Sequence, residues 1–204
     1  MISAKYRSIT NSLTEKIGKA IARTGISPNA LTLLTIVFAF ITAYFIIIQW
    51  FLLGGILLII TAGVDAIDGA VARVTKRVTK FGSYLDAMVD RYVEAIIFAA
   101  IGIATNLWLL VFIAFAGSLI ISYAKSRAAM ETKVENAKWP DLCERGERLT
   151  ILIIALILFG IWQGTIFGFN LMFYFLALLS ILTHFTAIQR ILRAKKLIQS
   201  AKGD

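Results

Sequence analysis

The chain has 204 residues, 59% of them hydrophobic, with a mean hydropathy of +0.81 and a formal net charge of +9. A water-soluble domain of this length is far more polar, so a soluble enzyme or binding module is excluded as a starting point. Nucleic acid is a poor partner too, because the basic residues are spread over four segments beside apolar runs instead of one patch; anchoring at anionic lipid headgroups explains the charge better.

Residues 2–23 predict an amphipathic helix. Ile9, Leu13, Ile17 and Ile21 fall roughly on one face, with Lys5, Lys16, Lys19 and Arg23 elsewhere. Such a helix lies along a membrane interface. No early apolar core precedes a small-residue cleavage site, so no cleavable signal peptide is expected. Ser27 and Pro28 then read as the cap and first turn of a following helix. Residues 24–64, 95–124 and 149–189 contain no Asp, Glu, Lys or Arg. A spanning helix needs about 20 apolar residues. The first and third runs each fit two spans, and the middle one does so if a span starts inside the preceding acidic stretch. The expected spans are 31–48, 51–71, 82–104, 106–124, 149–164 and 168–189.

The turns at Gln49-Trp50, Thr105 to Leu107 and Gln163 to Gly168 carry no charge. Lys and Arg gather on the opposite side, in the N-terminal arm and in 73–80, 125–148 and 190–202. This positive-inside pattern puts both termini and the polar loops in the cytoplasm. The expected fold is an all-α, multi-pass protein of the cell membrane, with six transmembrane helices. Residues 1–24 form the interfacial helix, and 25–204 form one transmembrane catalytic domain. Trp50, Trp108 and Trp162 read as an interfacial aromatic belt. Gly54, Gly55, Gly63, Gly117 and Ser118 read as small residues that let helices pack closely, and His184 as a packing residue.

The stretch 65–90 reads DAIDGAVARVTKRVTKFGSYLDAMVD. Ionisable residues at the end of a span mark function by default. Asp65 and Asp68 are three residues apart and Asp86 and Asp90 four, so each pair shares a helix face. Two helices that each offer a carboxylate pair build one acidic pocket. The carboxylates repel, so the pocket calls for cations, and oxygen ligands suit Mg²⁺ or Mn²⁺. Two such ions can clamp a pyrophosphate. Gly69, Ala72 and Gly82 leave room for a bulky ligand, and Arg73 can bind a phosphate through two donors. The bland alternative pairs these carboxylates with Arg73, Arg91 and the loop at 76–80, and leaves the whole spacing unexplained. A cation transporter is disfavoured because the far side holds no ionisable groups.

The pattern Asp65-x2-Asp68-Gly69-x2-Ala72-Arg73-x8-Gly82-x3-Asp86-x3-Asp90 resembles, at every defined position, the signature of the CDP-alcohol phosphotransferase family. The resemblance implies transfer of a phosphate-linked alcohol, often a lipid, from a CDP donor to an acceptor hydroxyl, with release of CMP. It implies two ions on Asp65, Asp68, Asp86 and Asp90, with Asp90 also as the general base. Asp68, Gly69, Ala72, Arg73 and Gly82 would line the CDP site. Homodimers are common in the family.

For the acceptor, Lys125 and Arg127 lie at the end of the fourth span, Arg145 and Arg148 at the start of the fifth, and Arg190 at the end of the sixth. Converging, they would hold a doubly charged phosphate; singly, each is also what a cytoplasmic membrane face demands. The segments SYAKSRA, ERGERL and AIQRILR are similar to those of the phosphatidylinositol phosphate synthase branch. That resemblance implies inositol 1-phosphate as acceptor and a diacyl or archaeol CDP-lipid as donor. Glycerol 3-phosphate as acceptor, or CDP-inositol as donor, remain the alternatives.

Overall fold

The computed structural model describes residues 14, 16–132 and 142–201. Six long helices follow in order: α1 (Pro28–Ile47), α2 (Phe51–Val74), α3 (Lys80–Thr105), α4 (Trp108–Glu131), α5 (Arg145–Ile161) and α6 (Leu171–Ala201). A two-rung antiparallel hairpin, β1 (Thr165–Ile166) and β2 (Phe169–Asn170), joins α5 to α6. Of the amphipathic helix expected over 2–23, only residues 14 and 16–23 are described, and 16–22 are helical. Gly18 is buried there, and a Cβ on it would meet Ala70 Cβ at 3.1 Å, so this segment rests on the end of α2 that carries the aspartates.

Local chemistry sets the helix ends. Ser27 caps α1, its hydroxyl accepting from the Ala30 amide at 3.2 Å, and Pro28 occupies the first turn as expected. Thr79 caps α3 by accepting from the Gly82 amide at 2.9 Å. The uncharged turns all use left-handed residues: Gln49 (φ 64°), Asn106 (φ 58°) and the pair Phe167 and Gly168 (φ 47° and 82°). Two consecutive positive φ values make the tightest hairpin connection. Sequence periodicity could not show strands of two residues each, so the region reads only as a turn, and α6 begins three residues later than the expected 168.

Helix α4 runs past the expected 124 to Glu131, and α6 past 189 to Ala201. Hydropathy marks where a helix leaves an apolar environment, not where its backbone ladder stops. Among the described residues, four helices are long and apolar enough to cross a membrane: Pro28–Ile47, Phe51–Val74, Trp108–Glu131 and Leu171–Ser200. Helix α3 spreads Lys80, Asp86, Asp90, Arg91 and Glu94 between its start and just past its midpoint, and α5 has only 17 residues with three charges in its first turn.

The principal helix packings are α1 with α2 and α3, α2 with α5, and α4 with α6. Ile46, Leu58, Ile97, Leu152 and Leu176 are fully buried at the centre. Outward, Phe40, Leu109, Phe112 and Ile181 are 60–72% exposed, an apolar surface suited to lipid rather than water. Thr42 on α1 and Thr61 on α2 share a hydrogen bond of 3.1 Å across the interior. The small residues act largely as expected: Cβ atoms on Gly54, Gly55 and Gly117 would press on Ile46, Ile157 and Thr183, whereas Gly63 has nothing within 4 Å. His184 packs against α4, its Nε2 3.1 Å from the Ile113 carbonyl.

The closest approach is Gly160 of α5 against α2, where a Cβ would overlap the Leu52 backbone and lie 2.7 Å from its Cα. Backbone cannot yield as a flexible side chain does. Gly160→Ala is therefore expected to destabilise the protein by about 2–3 kcal/mol, read as a lowered midpoint of thermal unfolding in detergent. An unchanged midpoint would show that α5 can slide on α2.

Candidate active site

A five-residue connection, 75–79, joins the end of α2 to the start of α3. Asp65 on α2 and Asp86 and Asp90 on α3 there place one carboxylate oxygen each within 4.8 Å of one another. An all-carboxylate set at this spacing fits a hard divalent ion.

Asp68 does not join that trio. Three residues along a helix rotate the side chain by about 60° away from Asp65, enough to turn it toward α1. There the Thr32 hydroxyl donates to Asp68 Oδ2 at 2.5 Å, and both residues are buried. Asp68 instead lines a cavity of about 310 Å³ with Gly69, Ala72, Arg73, Gly82 and Asp86. The expected nucleotide-side residues are thus brought together. Arg73 lies over Gly69, where a Cβ would meet its Nη1 at 3.4 Å, and Asn29 reaches Gly82, where a Cβ would meet Oδ1 at 3.2 Å. Thr32, Asn29 and Arg77 line this cavity and were not singled out as site residues from the sequence; no charge spacing marks the first two.

A second cavity, of about 410 Å³, opens on the other side of the trio. Asp90, Arg91, Ser122, Lys125, Arg145, Arg148 and Arg190 line it. Four of the five basic residues expected at the acceptor therefore converge. Arg127 does not: it points one face away on α4, pairs with Glu131 four residues on at 2.6 Å, and borders an apolar groove between α4 and α6. The i, i+4 spacing on an exposed helix end accounts for that pairing.

The cations are tied to the acids. Arg145 donates to Asp65 Oδ2 at 2.7 Å and lies 2.8 Å from Asp90 Oδ1. Arg91 lies 3.4 Å from Asp90 Oδ2 and donates to the Ser122 hydroxyl. Arg148 is 2% exposed and its Nη2 donates to Glu94 Oε1 at 2.7 Å. Arg190 donates to the Ile121 carbonyl. The sequence reading passed over Glu94, although it continues the line Asp86, Asp90 by a further four residues and is charged within a span. That spacing was the signal that could have found it.

Cys143 sits just before α5, 1% exposed. Burial pushes its thiol up to about 11, against the pull of the Arg148 guanidinium. At neutral pH about one such thiol in ten thousand is ionised. Alkylation by iodoacetamide is therefore expected to run at least about 100-fold slower than with free cysteine, quickening as pH rises toward that value. Rapid labelling at pH 7 would mean the segment before α5 opens readily.

Residues 25–189 match the model of the CDP-alcohol phosphatidyltransferase family. The chain is 34% identical over 197 residues to an archaetidylinositol phosphate synthase of Pyrococcus horikoshii, covering 96% of this chain and 98% of that one. It is 29% identical over 210 residues to a phosphatidylinositol phosphate synthase of Corynebacterium glutamicum, covering 96% and 90%. The fold matches crystal structures of Mycobacterium tuberculosis phosphatidylinositol phosphate synthase. With CDP-DAG bound, the TM-score is 0.76 at 24% identity, covering 90% of this chain and 94% of that one. With manganese and citrate it is 0.74 at 25% identity, covering 89% and 88%. Mg²⁺ or Mn²⁺ is the cofactor that accords with the carboxylate trio and with the manganese of that relative. The chain belongs to the CDP-alcohol phosphatidyltransferase family, and it is a membrane-embedded, divalent-metal-dependent transferase that moves a phosphate-linked group from a CDP-linked donor to an alcohol acceptor, with CMP as the leaving group.

Proposed function

We propose that this enzyme moves a phosphatidyl or archaetidyl group from a CDP-linked lipid to inositol 1-phosphate and releases CMP. One observation carries the reading: the carboxylate trio lies between two cavities, with Asp86 lining one and Asp90 the other. One cavity holds the nucleotide-side residues of the family signature, and the other gathers basic side chains from α3, α4, α5 and α6. A donor and an anionic acceptor would meet over the trio. The inositol phosphate products named for the relatives from Pyrococcus horikoshii and Corynebacterium glutamicum point to the same acceptor.

In this reading Asp65, Asp86 and Asp90, with Asp68 from the nucleotide side, hold two divalent ions. When bound, these ions withdraw charge from the pyrophosphate and make CMP a better leaving group. Gly69, Ala72 and Gly82 let the CDP moiety approach the backbone, and Arg73 binds a phosphate oxygen. Lys125, Arg145, Arg148 and Arg190 hold the acceptor's phosphate. The acceptor hydroxyl oxygen bonds to the lipid-bearing phosphorus, the bond from that phosphorus to the CMP oxygen breaks, and Asp90 takes the hydroxyl proton.

In this reading the chemistry belongs to a chain of six spans, with 25–204 as one catalytic domain and with both termini and the site on the cytoplasmic side of the cell membrane. The charged first half of α3 and the short α5 are accommodated because the site is open to water at that face. The homodimer rests on the family resemblance alone.

Purified protein with Mn²⁺ or Mg²⁺ and a CDP-diacyl or CDP-archaeol lipid is expected to release CMP with inositol 1-phosphate, but not with serine or free inositol. Chelation should abolish release, and Asp90→Asn should lower kcat by about 10²–10⁴-fold. Release with glycerol 3-phosphate instead would overturn the acceptor and keep the chemistry. Release only from CDP-inositol would overturn the lipid donor.

A further inference from the structure

Glu94 is a carboxylate 1% exposed, about one helical turn deeper than Asp90. Its surroundings are saturated. Oε1 accepts from Arg148 Nη2 at 2.7 Å and from Nε at 3.2 Å. Oε2 accepts from the Ser118 hydroxyl at 2.8 Å and lies 3.5 Å from Arg91 Nε. Arg148 is clamped again through Nη1, which donates to the Cys143 carbonyl at 3.3 Å. Both guanidinium groups held by Glu94 line the basic cavity, and one of them, Arg91, also lies against Asp90.

A buried ion pair contributes little net stability on average, since desolvation offsets the attraction, and an apolar replacement often does as well. Bracing the fold is therefore a weak reason to place a charge here. Fixing two guanidinium groups, each in one orientation, beside the attacking centre is a stronger one. Long cationic side chains bind an anion well only when their rotamers are already set.

We propose that Glu94 is a positioning residue for acceptor binding: it touches no substrate, but aims Arg148 and Arg91 at the anionic acceptor. The proposal rests on reading the basic cavity as the acceptor site. Without the Glu94 charge, Arg148 would turn toward the nearest remaining carboxylates, and the acceptor's phosphate would lose an oriented partner.

The test is steady-state kinetics of CMP release, with the acceptor and the CDP-lipid varied separately, beside thermal unfolding of each variant. Glu94→Gln keeps the shape and removes the charge. It should raise KM for the acceptor by about tenfold while kcat and the KM for the CDP-lipid change less than about threefold. Ser118→Ala, which removes one hydrogen bond to Glu94 and folds regardless of the charge, should raise acceptor KM by a smaller factor. The double variant Glu94→Met with Arg148→Met removes both charges at similar volume. It should unfold at or above the wild-type temperature, yet keep the raised acceptor KM.

A folded Glu94→Gln or Ser118→Ala variant with wild-type acceptor KM overturns the proposal, as does a double variant whose acceptor KM returns to normal. The wild type is measured first with inositol 1-phosphate and glycerol 3-phosphate. If only the second is used, the proposed acceptor falls, and Glu94 is judged with the acceptor that works.

Discussion

Everything at the charged end of this bundle follows from the crowding of like charges. Asp65, Asp86 and Asp90 bring one carboxylate oxygen each within 4.8 Å of one another. At that separation two charges near a protein surface repel by about 4 kcal/mol. No helix pair would adopt such an arrangement without cations to offset it. Arg145 reaches Asp65 and Asp90 from the first turn of α5, and Arg91 lies against Asp90 from within α3. The acids thereby dictate where α5 must begin. Charge then alternates away from the trio: carboxylates, then Arg145 and Arg91, then Glu94, then Arg148. Each layer compensates the one before it, so the site is built as a stack of opposite charges and not as a bare acidic pocket.

The same demand explains the asymmetry of the bundle. One end is closed by short uncharged turns that reverse the chain through left-handed residues, and the other keeps its long segments and charges. Helix α3 is the element most exposed to this conflict. Its first half carries the chemistry, and its second half carries Ile97, Phe98 and Ile101 into the core. It can hold charge at that depth because Arg148, Ser118 and Arg91 pair with Glu94 there. An isolated helix of this composition would be a poor membrane span; packed against α1 and α4 it becomes the inner wall of the site.

The legibility of the sequence divides along the same line. The apolar helices were readable because apolar runs have sharp edges, and the acidic pairs were readable because the spacing within each helix is local. The nucleotide-side cluster came with the family resemblance, whose pattern places Gly69, Ala72 and Arg73 within five residues of Asp68. Partnerships across helices were not readable. Glu94 and Arg148 are 54 positions apart, and nothing local to either residue reveals the other. Nor did helical spacing alone say which way Asp68 turns, because that depends on Thr32 of α1 being close enough to donate. Arg127 carried the same local signal as Lys125, yet two residues of helix rotation separate a side chain in the cavity from one on the outer face.

On the proposed reading, acceptor selection falls into two physically different steps. A neutral alcohol entering the basic cavity would bring no negative charge to offset the gathered cations of Lys125, Arg145, Arg148 and Arg190 that line it, and like charges held close together repel. A phosphate on the acceptor removes that penalty, so discrimination against serine or free inositol comes from charge. Charge cannot separate one sugar or polyol phosphate from another. That step falls to the neutral hydroxyls on the cavity wall, Ser122 and Ser126 of α4. Ser122 already accepts from Arg91 and donates to the Ser118 carbonyl, and Ser126 donates to the Ser122 carbonyl. Their donor protons are spent along the helix, and what they offer a ligand is an acceptor lone pair. On the same reading, a ring bearing several hydroxyl donors would meet that wall better than a short chain with one or two.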